Sequence, residues 1–420
     1  MSEWTRNKEL RGLLNPPEKH LSGRPIVNAR DFLTRIVSTR REVDAWIKGF
    51  AFPFQKYDSE LGYLLRSARF KDGIDGSITT YDYEGYGSGN RRMIMHSDKP
   101  CRINTYGNSF TQSQQVSDGE SWQEILAAHL CEPIRNFGVG GYSVYQAYLR
   151  MKREEKLTPT ENIIFSIYDD DHYRSLVSWR KIRGGPVDLA SGGSQPTSPY
   201  VKVNPSTREF VECENPCGTA DSMYNLCDLD WIFETFKEDF LLKITRAHEN
   251  VKEGYPESSY VEISDLASKH GFGMQITTPE ELIKACDLLY TKASLFASMR
   301  IVEKVEEFAA LNGKKVLYVL SFYSQSIAKM VTEGYRFDQE FVDFLKMKGL
   351  QFIDLMEAHL EDFSQFSISI EDYLRRYYVE HENRPIGHYN PMGNFFYAFA
   401  IKDKLVEMLN PKPISYNDSS

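Results

Sequence analysis

The residue best set to act as a nucleophile is Ser109, in the stretch Tyr106-Gly107-Asn108-Ser109-Phe110-Thr111. A serine flanked by small residues at a strand-to-loop turn presents its hydroxyl at the end of a sheet. Gly107 lets the backbone turn where a Cβ would clash. By itself a Gly-x-Ser triplet reads as an ordinary turn. A second group is the run Asp169-Asp170-Asp171-His172. Carboxylates with an imidazole suit a metal, a cationic substrate, or pairing with Arg174 and Arg180. Adjacent residues of an extended chain point opposite ways, which favours a capping, ion-paired loop over a shared ion. Cys213, Cys217 and Cys227 cluster, but no fourth ligand stands at a regular spacing from them.

The elements that must position these residues alternate from residue 100 onward. Arg102–Thr105 reads as a strand, Ser121–Leu130 as an amphipathic helix and Pro133–Phe137 as a short strand. Gly138-Val139-Gly140-Gly141 leads into a helix over Val144–Lys156. Ile163–Tyr168 is a continuous apolar run suited to a strand buried on both faces. Further strands are expected at Lys314–Ser321 and Gln351–Leu355, with helices at Phe337–Lys348, Ser369–Tyr378 and Phe395–Leu409. This alternation predicts an α/β fold with a parallel sheet and helices on both sides.

Two regions depart from the alternation. Residues 1–100 read as an N-terminal extension, a helix over Asp31–Trp46 followed by short strands and turns rich in aromatics, Gly and Asp. Residues 183–260 carry loop signals and two strands about a turn within Tyr200–Glu212, as an insertion and a candidate lid. Helices then follow at Asp228–Arg246 and Pro279–Leu311, the second with Pro at its first turn. The expected organisation is 1–100, a main domain over 101–410 with the insertion inside it, and a tail over 411–420.

Bulk properties narrow the function classes. The chain has 420 residues, 41% of them hydrophobic and 26% charged, which is the composition of a globular protein with a sizeable core. The formal net charge is −9 and the Arg pairs are isolated, which argues against a nucleic-acid partner. No apolar stretch reaches the roughly 20 residues of a membrane helix, and Met1–Arg6 lacks a secretory leader's apolar run. Six scattered cysteines fit reduced thiols in a cytoplasmic protein.

Three stretches, in order, resemble the sequence blocks of the SGNH/GDSL hydrolase family. Gly107-Asn108-Ser109-Phe110-Thr111 is similar to its nucleophile block, Asn136-Phe137-Gly138-Val139-Gly140-Gly141 to its glycine block, and Gly387-His388-Tyr389-Asn390-Pro391-Met392-Gly393-Asn394 to its histidine block. The resemblance covers residues 100–180 and 310–410. It implies a flavodoxin-like three-layer α/β/α sheet, Ser109 as nucleophile and His388 as the general base it needs. It also implies that the backbone amides of Ser109 and Gly141, or of Gly140, face the oxyanion.

This chain departs from the family at three points. The family's third block supplies an Asn to the oxyanion, but here the strand runs into Asp169-Asp170-Asp171, and an ionised carboxylate would repel that charge. The family's Asp before the histidine is replaced by Pro385 and Ile386. The base is then left to a carboxylate from elsewhere, such as Glu382, Glu380 or Asp169–Asp171, or to a backbone carbonyl in a dyad. Asn108 stands in place of the family Asp.

The resulting expectation is an esterase-type serine hydrolase that cleaves a carboxylic ester on a carbohydrate or small molecule. An O-acyltransferase on the same fold, a repurposed binding protein and a metal-assisted enzyme using Asp169–His172 are the alternatives. Asp169, Asp170, Asp171 and Glu382 stand as acid or substrate contacts. No cofactor and no metal ligand are assigned.

Overall fold

In the computed structural model, the residues described are 28–49, 55–84, 89–184, 197–381, 384–385 and 387–416. Expected features at Phe52–Phe54, Gly85–Gly87, Gly185–Pro196 and Glu382 fall outside them. The chain parts into two units, one of residues up to Leu64 with Tyr173–Ser298, the other of Leu65–His172 with Met299–Ser420.

The second unit contains the sheet. Its elements are strand β1 (Ile103–Tyr106), helix α1 (Trp122–Leu130), β2 (Arg135–Asn136), α2 (Val144–Leu157), β3 (Asn162–Tyr168), the C-terminal part of α3 (Pro279–Leu311), β4 (Lys315–Ser321), α4 (Ser324–Glu333), α5 (Gln339–Met347), β5 (Phe352–Asp354), α6 (Leu355–Phe363) and α7 (Pro391–Met408). The five strands are all parallel and lie side by side in the order β5, β4, β3, β1, β2.

Alternation along each strand sends side chains to two helical layers. On one face Asn104 and Tyr106 both donate to Glu155 of α2, at 2.7 and 2.9 Å, and Tyr318 donates to Glu306 of α3 at 2.8 Å. On the other, Gln123 of α1 donates to Thr105 at 3.2 Å and the Ser166 and Tyr397 hydroxyls meet at 2.8 Å, Tyr397 belonging to α7. Strand β3 is buried along its whole length, as its apolar run requires.

The compact units divide at Leu64, and the antiparallel pair Ala68–Lys71 and Ile78–Tyr81 falls in the unit that holds the sheet. The Asp118 carboxylate accepts from Asp82 N at 3.1 Å.

The first unit is mostly helical around Ile244, Ile263, Leu282 and Leu289. The helix expected over Asp31–Trp46 is two helices, Ala29–Ile36 and Arg40–Ile47, the second begun by a Thr39/Glu42 capping box. Similarly, Asp228–Arg246 breaks because Asp239 caps a new helix, Phe240–Glu253, by accepting from Leu242 N. Tyr200–Asn204 and Glu209–Cys213 form the expected antiparallel pair.

Candidate active site

Ser109 lies just past the C-terminal end of β1, between strands whose connections leave in opposite directions, the usual place for a site in an open α/β sheet. It opens a one-turn helix, Ser109–Gln112, whose N-cap is Asn108. Gly107 has φ +155, and a Cβ there would sit 2.2 Å from Thr111 Oγ1 and 2.8 Å from the Ser166 carbonyl. Gly138 is required for packing: its Cβ would sit 2.1 Å from Gln112 N.

His388 is held by the turn before α7. Gly387 N donates to the Val379 carbonyl and Val379 N to the His388 carbonyl, both at 2.8 Å. Asn390 caps α7 by accepting from Gly393 N at 2.9 Å, with Pro391 in the first turn. Phe110 packs the imidazole at 5.1 Å between ring centroids, and itself stacks on Tyr168 at 4.6 Å.

These elements bring Ser109 Oγ within 2.8 Å of His388 Nε2. On the far side of the ring, Nδ1 lies 2.8 Å from Gln115 Oε1, and the same oxygen accepts from His388 N at 2.7 Å. A backbone N–H can only donate, so the Gln115 atom facing it is the oxygen. Nδ1 therefore carries the ring proton, and Nε2 presents its lone pair to the serine hydroxyl. The other end of the amide agrees: Gln115 Nε2 donates to the Asp72 carbonyl at 3.0 Å and lies 3.1 Å from His381 Nε2.

Gln115 has a left-handed backbone, φ +74, and its N–H donates to the Tyr81 hydroxyl at 2.6 Å. The loop that carries it is clamped by Arg91, which is 2% exposed. Its guanidinium pairs with Asp118 at 2.8 Å and donates to the carbonyls of Gln112, Ser113, Val116 and Thr80. Neither residue is marked by the resemblance. The signal available in the sequence is the amide-rich run Gln112-Ser113-Gln114-Gln115 directly after the nucleophile stretch.

The other expected site residues sit as follows. Gly140 lies beside Ser109, its Cβ position 3.6 Å from Ser109 Cβ, but its N–H donates to Gln112 Oε1 at 2.8 Å. Gly141 has φ +82. The Asp169–His172 run is the first turn of a short helix, Asp169–Arg174, rather than extended chain. Asp171 is buried and accepts from Asn108 Nδ2 at 2.8 Å and Tyr168 N at 3.0 Å. Asp169 accepts from Ser326 Oγ at 2.7 Å and Tyr323 N at 3.1 Å, and burial pushes its pKa up to about 6. His172 packs edge-on to Phe341, and burial pulls its pKa down to about 3. Glu380 pairs with Arg375 at 2.8 Å. Cys213, Cys217 and Cys227 are free thiols, and no group of three or more His, Cys, Asp or Glu among the described residues is placed to hold a metal ion.

No family model and no curated protein matches this chain. Among solved structures it is similar to a protein of Desulfitobacterium hafniense DCB-2 assigned to the G-D-S-L family of lipolytic proteins. The two are 10% identical, over 71% of this chain and 98% of that one, with a TM-score of 0.31. A likeness of that size carries no argument, so the functional reading rests on the site's own geometry.

Proposed function

We propose that this chain is a serine hydrolase of the esterase type, with Ser109 as nucleophile and His388 as general base. The observation that carries the reading is the 2.8 Å contact between Ser109 Oγ and an imidazole nitrogen whose proton lies on the opposite side of the ring. The strand order 2-1-3-4-5 supports a flavodoxin-like sheet, in which this crevice is the expected ligand site.

The chemistry follows from the proton's position. Ser109 Oγ attacks the ester carbonyl while its proton passes to His388 Nε2. The imidazolium then returns that proton to the departing alcohol, leaving an acyl group on Ser109. A water molecule, deprotonated by His388, releases the acid. The tetrahedral oxyanion is assigned to the amides of Ser109 and Gly141, with Gly140 joining once Gln112 turns away. The substrate is an ester of a carbohydrate or small molecule. Among the described residues no helix is long and apolar enough to cross a membrane.

The test is labelling by a fluorophosphonate together with turnover of p-nitrophenyl acetate. Label on Ser109, lost in Ser109→Ala and in His388→Gln, is the expected result. Equal labelling or turnover in Ser109→Ala overturns the reading.

A further inference from the structure

We infer that Gln115 occupies the place of a triad carboxylate, as a neutral positioning residue that fixes the tautomer of His388. The inference rests on the reading of Ser109 and His388 as nucleophile and base. It is carried by one oxygen that accepts from both the backbone N–H and Nδ1–H of the same histidine.

Two features make the amide suited to this task. Its orientation is over-determined: the Asp72 carbonyl accepts only, so Nε2 must face it, and Oε1 must then face His388. Its position is imposed from the backbone, since the left-handed conformation at Gln115 and the hydrogen bond to Tyr81 aim the side chain across the loop. Gly387 makes room for it, because a Cβ there would lie 2.9 Å from Gln115 Oε1. His381 completes the set: facing an N–H donor, its Nε2 must be the unprotonated nitrogen.

An amide orients the ring as a carboxylate does, but adds no negative charge when the ring takes up a proton. The amide therefore aims the base without itself stabilising the imidazolium by charge. Gln115→Glu keeps the shape and adds a negative charge beside Nδ1. Gln115→Ala removes the acceptor.

The experiment is long-range ¹H–¹⁵N correlation on the full chain carrying ¹⁵N-histidine, with His388 identified by its absence in His388→Gln, alongside the pH profile of fluorophosphonate labelling. The wild type should show His388 protonated at Nδ1. Gln115→Ala should lose that single tautomer and label at least about 10-fold more slowly. Gln115→Glu should raise the His388 midpoint by about 1 pH unit or more and move the acid limb of labelling upward by the same amount. An unchanged tautomer in the alanine variant and an unchanged midpoint in the glutamate variant overturn the inference. If the wild type is not labelled, the hydrolase reading falls, and the tautomer and midpoint still decide the role of Gln115.

Discussion

Asn108 and Asp171 form a buried pair in which the amide, not the acid, stands beside Ser109. Asn108 Nδ2 donates to Asp171 Oδ1 at 2.8 Å, while Asn108 Oδ1 accepts from Phe110 N, also at 2.8 Å. Asp171 also accepts from Tyr168 N, so β3 and the Ser109 turn are tied through one carboxylate. Asn108→Asp places two acceptors against each other and should cost on the order of 2–3 kcal/mol. Adding Asp171→Asn restores a donor, with its own oxygen still available to Tyr168 N. The double variant should regain most of the loss, measured as a coupling in urea denaturation. Additive losses would contradict the pairing.

Arg91 controls the site at one remove. It is the shared donor for the Gln112, Ser113 and Val116 carbonyls, and its charge is balanced by buried Asp118. Arg91→Ala leaves Asp118 uncompensated and should cost about 3–5 kcal/mol. Arg91→Lys keeps the charge but lacks the planar fork that reaches four carbonyls. It should fall between, with a larger loss in Ser109 labelling than in stability. Parallel denaturation and labelling of both variants check this, and a lysine variant that labels as the wild type does would remove the positioning role.

Three buried groups give stability a pH dependence of mixed sign. Burial pulls His172 and His359 down to about 3, so between about 3 and 6.5 the unfolded chain binds two protons that the native state does not. Stability from these groups is complete above pH 6.5 and falls as pH drops, by up to roughly 2.7 kcal/mol per pH unit for the pair. Asp169 opposes them: raised to about 6, it favours the native state at low pH, and that contribution is lost as pH rises from 3.8 through 6. His359→Gln should flatten the acid loss, and Asp169→Asn should steepen it between pH 4 and 6. Urea midpoints at half-unit steps from pH 4 to 8 measure both slopes.

The sheet was readable in the sequence because it is made of periodic apolar runs. Ile163–Tyr168 and Lys314–Ser321 are strands within a residue of where their patterns place them, and Pro279–Leu311 is a single helix over its full expected length. The breaks were not readable, because Asp239 and Thr39 end apolar-periodic stretches by side-chain capping, which leaves the period unchanged. The sequence also placed Ser109 and His388 in order but could not supply the partner of Nδ1. Carboxylates stand near His388 in sequence, whereas Gln115 reaches it across 273 residues from a left-handed backbone. A positive φ at glutamine has no sequence signature. In the acidic run, Asp169, Asp171 and His172 turn inward to three separate sets of partners, in keeping with a hydrogen-bonded loop rather than a shared ion.

Gln112 sets the remaining question at the site, because its Oε1 takes the Gly140 N–H at 2.8 Å. Gly140 lies beside Ser109, its Cβ position 3.6 Å from Ser109 Cβ, so in the proposed reaction a substrate oxyanion and the Gln112 amide would compete for its N–H. Breaking a neutral hydrogen bond of this kind costs about 0.5–1.5 kcal/mol net, and an oxyanion that need not break it keeps that energy. Gln112→Ala should therefore raise the acylation rate of Ser109 by roughly 2- to 10-fold, with ground-state binding little altered. Gln112→Glu should act in the opposite sense, since a carboxylate holds the N–H more strongly and repels the developing charge. Single-turnover labelling of the two variants separates the effects. A slower alanine variant would show that Gln112 supports the turn rather than occupying a catalytic donor.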